Sequence, residues 1–133
     1  MPDTTTTTIV GNLTEAPELR FTQGAAPVAN FTVAVTPRVK NGDGWKDGET
    51  SFFRCTAWRG LAEHLADSLS KGDRVLVYGT LRQRSWETPE GERRSVVEVE
   101  ADEVAPSLRW ATAKPERATN GKPSGQFNDD PPS

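Results

Sequence analysis

Apolar and polar residues alternate along much of this chain. Ala29, Phe31, Val33 and Val35 interleave with Asn30, Thr32, Ala34 and Thr36, the period-two pattern of a strand with one buried face. Runs rich in Val, Thr, Phe and Trp predict strands over Thr5 to Leu13, Glu18 to Thr22, Val28 to Pro37, Ser51 to Trp58, Arg74 to Trp86 and Arg94 to Val104. Between the fourth and fifth of these the period changes. Leu61, Leu65 and Leu69 recur every four residues beside Ala62 and Ala66, which predicts a helix from Gly60 to Ser70, ended by Lys71-Gly72-Asp73.

Turn chemistry separates the strands. Lys40-Asn41-Gly42-Asp43-Gly44 predicts a loop between two strands, and Thr88-Pro89-Glu90-Gly91 predicts the tip of a long hairpin with arms Leu81 to Glu87 and Glu92 to Glu100. One helix between the third and fourth major strands of a small antiparallel barrel is the layout of an all-β OB-fold, a five-stranded Greek-key barrel with long hairpin loops. After Trp110 the composition shifts to Ala, Thr, Pro, Asn, Gly, Lys and Asp, with Phe127 as the one large apolar residue. Such a segment buries too little apolar surface to offset the entropy of ordering. The reading is therefore a binding domain over 1–112 and a disordered tail over 113–133.

Strand parity then assigns faces. Phe52, Arg54, Thr56 and Trp58 share one face of their strand, opposite Phe53, Cys55 and Ala57; Tyr78, Thr80, Arg82, Arg84 and Trp86 share one face of theirs, opposite Val75, Val77, Gly79 and Leu81. Rings and guanidiniums thus stand on the face opposite the small and aliphatic residues. Rings can stack on any base and cations can hold any phosphate, so the pattern suits unpaired nucleic acid. The competing reading of Trp58 and Trp86 as core residues is weakened by the interleaved arginines.

Charge modifies this picture. The chain has 133 residues and a formal charge of -3, against the excess of cations that a polyanion favours. Distribution matters more: Arg82, Arg84, Arg93 and Arg94 lie in the hairpin, while Glu98, Glu100, Asp102 and Glu103 crowd the strand that follows. This predicts partial segregation of acids from the basic face, with a mixed solvated surface as the alternative. Arg59, Arg74 and Arg94 read equally well as phosphate contacts or as surface pairs.

Chemistry of other kinds finds little support. With one cysteine, Cys55, and one histidine, His64, there is no Cys/His cluster for a metal, no intrachain disulfide, and no nucleophile constellation; no cofactor is implied and the chain reads as a non-enzyme. Cys55 reads as an inert buried thiol and His64 as a solvated helix-face residue. Asp102 and Glu103, adjacent in a strand, are expected to face opposite ways. No apolar run is long enough to span a bilayer and no secretory pattern opens the chain, which points to a cytoplasmic protein with no membrane partner.

Ile9-Val10-Gly11-Asn12-Leu13 and Pro17-Glu18-Leu19-Arg20-Phe21 resemble the opening of bacterial single-stranded DNA-binding proteins of the homotetrameric type. Val28-Ala29-Asn30-Phe31-Thr32-Val33-Ala34, Phe52-Phe53-Arg54-Cys55-Thr56-Ala57-Trp58, Leu61-Ala62-Glu63, Lys71-Gly72, Tyr78-Gly79 and Leu81-Arg82-Gln83-Arg84-Ser85-Trp86 follow in the family's order, over roughly residues 5 to 110. Trp45-Lys46-Asp47-Gly48-Glu49 and Pro106-Ser107-Leu108-Arg109-Trp110-Ala111-Thr112 are most similar to the actinobacterial branch, in which a strand after the barrel clamps subunits. The resemblance implies a nucleoid-associated homotetramer that binds single-stranded DNA without sequence preference in replication, recombination and repair. It places base stacking on Phe52, Trp58 and Trp86, and phosphate contacts on Arg54, Lys71, Arg82 and Arg84.

Two departures from the family pattern stand out. A further stacking aromatic of the family falls near Val39, with Trp45 as its possible substitute. The family's acidic tip ending in Pro-Phe is represented only by Phe127-Asn128-Asp129-Asp130-Pro131-Pro132-Ser133, which puts recruitment of replication and repair enzymes in doubt and suggests a specialised paralogue. The alternative function is an OB-fold scaffold that binds RNA or protein and touches DNA incidentally; competition between single-stranded DNA and RNA separates the two.

Overall fold

The computed structural model describes residues 3–118. Its elements run β1 (Thr6–Leu13), β2 (Glu18–Phe21), β3 (Pro27–Val35), β4 (Arg38–Asn41), β5 (Gly44–Asp47), β6 (Ser51–Trp58), α1 (Arg59–Ser68), β7 (Arg74–Glu87) and β8 (Arg93–Pro106). The main sheet has the order β1-β7-β8-β6-β3-β2, and an extra antiparallel pairing of β1 with β3 at Asn12↔Ala34 and Leu13↔Val33 closes it into a ring. The five strands of the ring are β1, β3, β6, β7 and β8, with β6 and β8 parallel through Cys55↔Val99 and Thr56↔Glu100. This is the OB-fold that the strand and helix order predicts.

Alternation supplies the interior. Ile9, Leu13, Ala29, Phe31, Val33, Cys55, Ala57, Val75, Val77, Val99 and Ala101 are buried together, and α1 adds Ala62, Leu65 and Leu69 to the same core. Each large aliphatic side chain so buried contributes on the order of 1.5 to 3 kcal/mol. The helix stops at Ser68, two residues short of the predicted end: Leu69 leaves helical geometry, and its N–H still reaches the Leu65 carbonyl. Arg59, at φ 59°, turns the chain sharply from β6 into α1, so Trp58 is held at the very end of its strand.

Closure needs backbones to touch. A Cβ on Gly11 would lie 2.3 Å from the Ala34 carbonyl oxygen, and one on Gly79 would lie 2.2 Å from that of Glu100. Both glycines therefore permit a strand crossing that any side chain would push apart. Beside Gly79 the β7–β8 register shifts, Tyr78 facing Glu103 and Gly79 facing Ala101, so Asp102 is the extra residue of a bulge. The bulge corrects the expectation for Asp102 and Glu103: strict alternation fails there and both are exposed.

Other differences are local. The segment read as a loop at Lys40 to Gly44 is the tight end of a separate hairpin, β4–β5, closed at Asn41↔Gly44 with Gly42 at φ 65°. The β7–β8 tip behaves as predicted: Thr88 N–H donates to Glu92 O (2.8 Å), Gly91 N–H to Thr88 O (2.9 Å), and Glu92 N–H to Thr88 Oγ1 (3.1 Å). Residues 107–112, likened to a clamping strand, form no strand in this chain; Ser107 N–H donates to Arg74 O, and the Trp110 ring lies 5.1 Å from the Arg74 guanidinium and 4.9 Å from that of Arg109. Residues 113–118 are exposed without regular structure, while most of the tail, including the tip from Phe127 to Ser133, lies outside the described residues.

Candidate nucleic-acid interface

The site is a three-strand surface, because β8 lies between β7 and β6. On β6, Phe52 is 64% exposed and Trp58 41%, with Arg54 exposed between them, while Cys55 and Ala57 point into the core. On β7, Arg82, Arg84 and Trp86 are exposed, Trp86 at 41%, while Val75, Val77 and Gly79 are buried. Parity alone therefore located both rows. Past the barrel, the β7–β8 hairpin projects as a two-stranded arm, and Arg84 stacks on its own row neighbour Trp86 with the guanidinium 5.1 Å from the ring centre.

The cations are not equally available. Arg54 makes no ion pair among the described residues. Arg82 Nε is hydrogen-bonded to Glu100 Oε1, and Arg84 Nη2 to Glu98 Oε2 at 2.9 Å. The Glu98 carboxylate, by hydrogen bond and then by charge, holds the Arg84 guanidinium above its ordinary range. The acids expected to stand apart from the basic face thus sit in its middle, because the strand that carries them is inserted between the two aromatic rows. The predicted hairpin pairs the acidic arm with the basic one, but nothing in sequence order says that β8 also borders β6 and so lies between the two rows.

Two shallow grooves cross this surface. One is lined by Thr56, Trp58, Arg82, Glu98, Val99 and Glu100. The other runs from Arg54 and Glu98 past Asn30 and Thr32 to Thr14, Glu15 and Ala16 in the β1–β2 loop. Thr56 Oγ1 donates to Asn30 Oδ1 at 3.2 Å in the wall between them. Lys71 lies off the three strands, in the turn after α1, where its ammonium is 3.7 Å from Glu15. It borders the second groove through that glutamate and does not join the aromatic rows.

The remaining candidates resolve individually. In the β4–β5 hairpin Val39 faces Lys46 while Trp45 faces Lys40, so Trp45 projects from the opposite side of the ribbon and cannot take over the place of a side chain at position 39. Its ring, 59% exposed, has Lys40 Nζ at 5.9 Å. Arg94 pairs with Glu92 at 2.8 Å, and Arg74 packs on Trp110. Burial pushes the Cys55 thiol up from its ordinary 9.0 to about 12, and its sulfur faces the Phe53 carbonyl at 3.7 Å inside the core. Among the described residues no group of three or more His, Cys, Asp or Glu could hold a metal, and no helix is long and apolar enough to cross a membrane.

The chain is similar to known proteins. A model described as the single-strand binding protein family matches residues 4–107. A single-stranded DNA-binding protein of Mycolicibacterium smegmatis is 60% identical over 121 residues, covering 90% of this chain and 73% of that protein. One from Paenarthrobacter aurescens is 52% identical over 130 residues, covering 96% and 76%. The crystal structure of a small single-stranded DNA-binding protein from Streptomyces coelicolor superposes with a TM-score of 0.70 at 33% identity, covering 80% of this chain and 97% of that one.

Proposed function

The chain belongs to the single-strand binding protein family and binds single-stranded DNA, and we propose that it does so with Phe52, Trp58 and Trp86 as stacking platforms and Arg54, Lys71, Arg82 and Arg84 as phosphate contacts. The observation that carries this assignment is the exposure of all three rings on the outer face of β6 and β7, the two strands that flank β8, with guanidiniums in the same rows. Nothing in the arrangement selects a base, since stacking uses the π-face that all bases share. The function is binding, not turnover, and the domain that performs it is assigned to 1–112, with 113–133 as a tail.

The same reading extends to assembly and setting. Val10 and Leu76 face each other across β1 and β7, beside Thr8 and Tyr78, and form an apolar patch on the outside of the barrel at 37 to 39% exposure for its large members. Such a patch favours association of copies, consistent with a homotetramer. Protection of unpaired strands during replication, recombination and repair in the cytoplasm, at the nucleoid, is the role that fits this chemistry.

Tryptophan fluorescence during a salt titration with poly-dT tests the site. Binding should quench fluorescence and weaken linearly in log-log form as salt rises. Trp86→Ala should cost roughly 1 to 3 kcal/mol for the stacked base and reduce the quenching. Unchanged affinity and quenching in that variant would remove Trp86 from the site.

A further inference from the structure

We infer that Glu98 and Glu100 are built-in competitors of the DNA phosphates, so that a strand entering this face must displace a carboxylate from Arg82 and from Arg84. The inference rests on the site proposed above and adds a regulation of that site. Register supports it. Arg82 stands opposite Glu98 and Thr80 opposite Glu100, yet Arg82 pairs with Glu100 and Arg84 with Glu98. Both arginines therefore lean back by one cross-strand step toward the barrel and Trp58, not outward along the arm.

Position makes the competition unavoidable. Because β8 separates β6 from β7, a strand stacked on both Trp58 and Trp86 crosses the two carboxylates, and Glu98 borders both grooves. Each carboxylate takes one N–H of its guanidinium, Arg82 Nε or Arg84 Nη2, and compensates its charge, so a phosphate gains the full charge-assisted, two-pronged contact only by displacing the carboxylate. The Glu98 side chain is 20% exposed and that of Glu100 37%, against 54% for Arg84 and 69% for Arg82. The carboxylates are thus the anchored partners and the arginines the movable ones. DNA binding at these two positions is an exchange of anions, which lowers affinity and flattens its dependence on salt, because salt weakens the internal pair along with the external contact.

The test is a cycle of variants measured by anisotropy of labelled poly-dT across a salt series. Glu98→Gln and Glu100→Gln should each tighten binding about two- to fivefold, the range of an exposed ion pair, and steepen the salt slope by up to about 0.7 per freed arginine. Glu87→Gln removes one negative charge from the hairpin without unpairing either arginine, and it measures the gain due to net charge alone. In the Arg84→Ala background, Glu98→Gln should give no more than that charge-only gain. A gain at Glu98 that matches Glu87→Gln, or that persists without Arg84, overturns the exchange while leaving the site intact. Absence of poly-dT binding by the unmodified protein would overturn the site itself, and the exchange with it.

Discussion

Cys55 and Trp58 lie three residues apart on one strand, on opposite faces and in opposite environments. Trp58 meets water at the strand end, whereas Cys55 is 2% exposed and keeps its proton up to about 12 because burial disfavours the thiolate. The folded-state value is raised, so the neutral thiol's contribution to stability is intact below 9.0 and is lost as pH rises from there toward 12. Alkylation by iodoacetamide at neutral pH should accordingly be negligible in the folded protein and rapid after denaturation, with mass spectrometry as the readout. Fast labelling of the native chain would place the thiol at the surface. Residue-scale facing of this kind was legible from parity alone: Phe52, Arg54, Trp58, Arg82, Arg84 and Trp86 all lie where alternation puts them. Lys71 carried no such signal, since it belongs to a turn with no periodic face.

At the scale of elements, success followed the strength of local rules. The leucine repeat marked α1 and Thr88-Pro89-Glu90-Gly91 marked the hairpin tip, because i to i+4 spacing and turn stereochemistry act within a few residues. The β4–β5 hairpin was missed as a pair of strands: its arms are four residues each, every one exposed, and a strand with no buried face leaves no alternation to read. The bulge at Asp102 was equally invisible, being defined by the partner strand. Gly11 shows what closure demands of an element. Gly11→Ala should wedge β1 from β3 at the Ala34 carbonyl and cost roughly 1 to 3 kcal/mol or more, seen as a lower melting temperature by circular dichroism. An unchanged melting temperature would show that the seam between β1 and β3 can open at no cost.

For the molecule as a whole, the proposed subunit contact and the proposed DNA-binding face occupy different stretches of the barrel's outside. The apolar patch of Val10 and Leu76 is on the β1–β7 surface, while the aromatic rows occupy β6 to β7 across β8. Leu76→Asp places a charge in the patch without disturbing the core, since Leu76 faces outward. By analytical ultracentrifugation it should reduce the assembly to smaller species; retention of the full mass would move the subunit contact elsewhere. The amino-acid sequence by itself determined which residues point in and which point out, where the helix and the long hairpin lie, and that rings and cations share a face, because period and turn chemistry are short-range. Only the tertiary structure decided that β8, already paired with β7 by the hairpin, also borders β6, so that Glu98 and Glu100 stand between the two rows. A turn signal can pair two consecutive strands, but the other neighbour of each strand in a closed sheet is settled by contacts between distant segments, which no local pattern along the chain encodes.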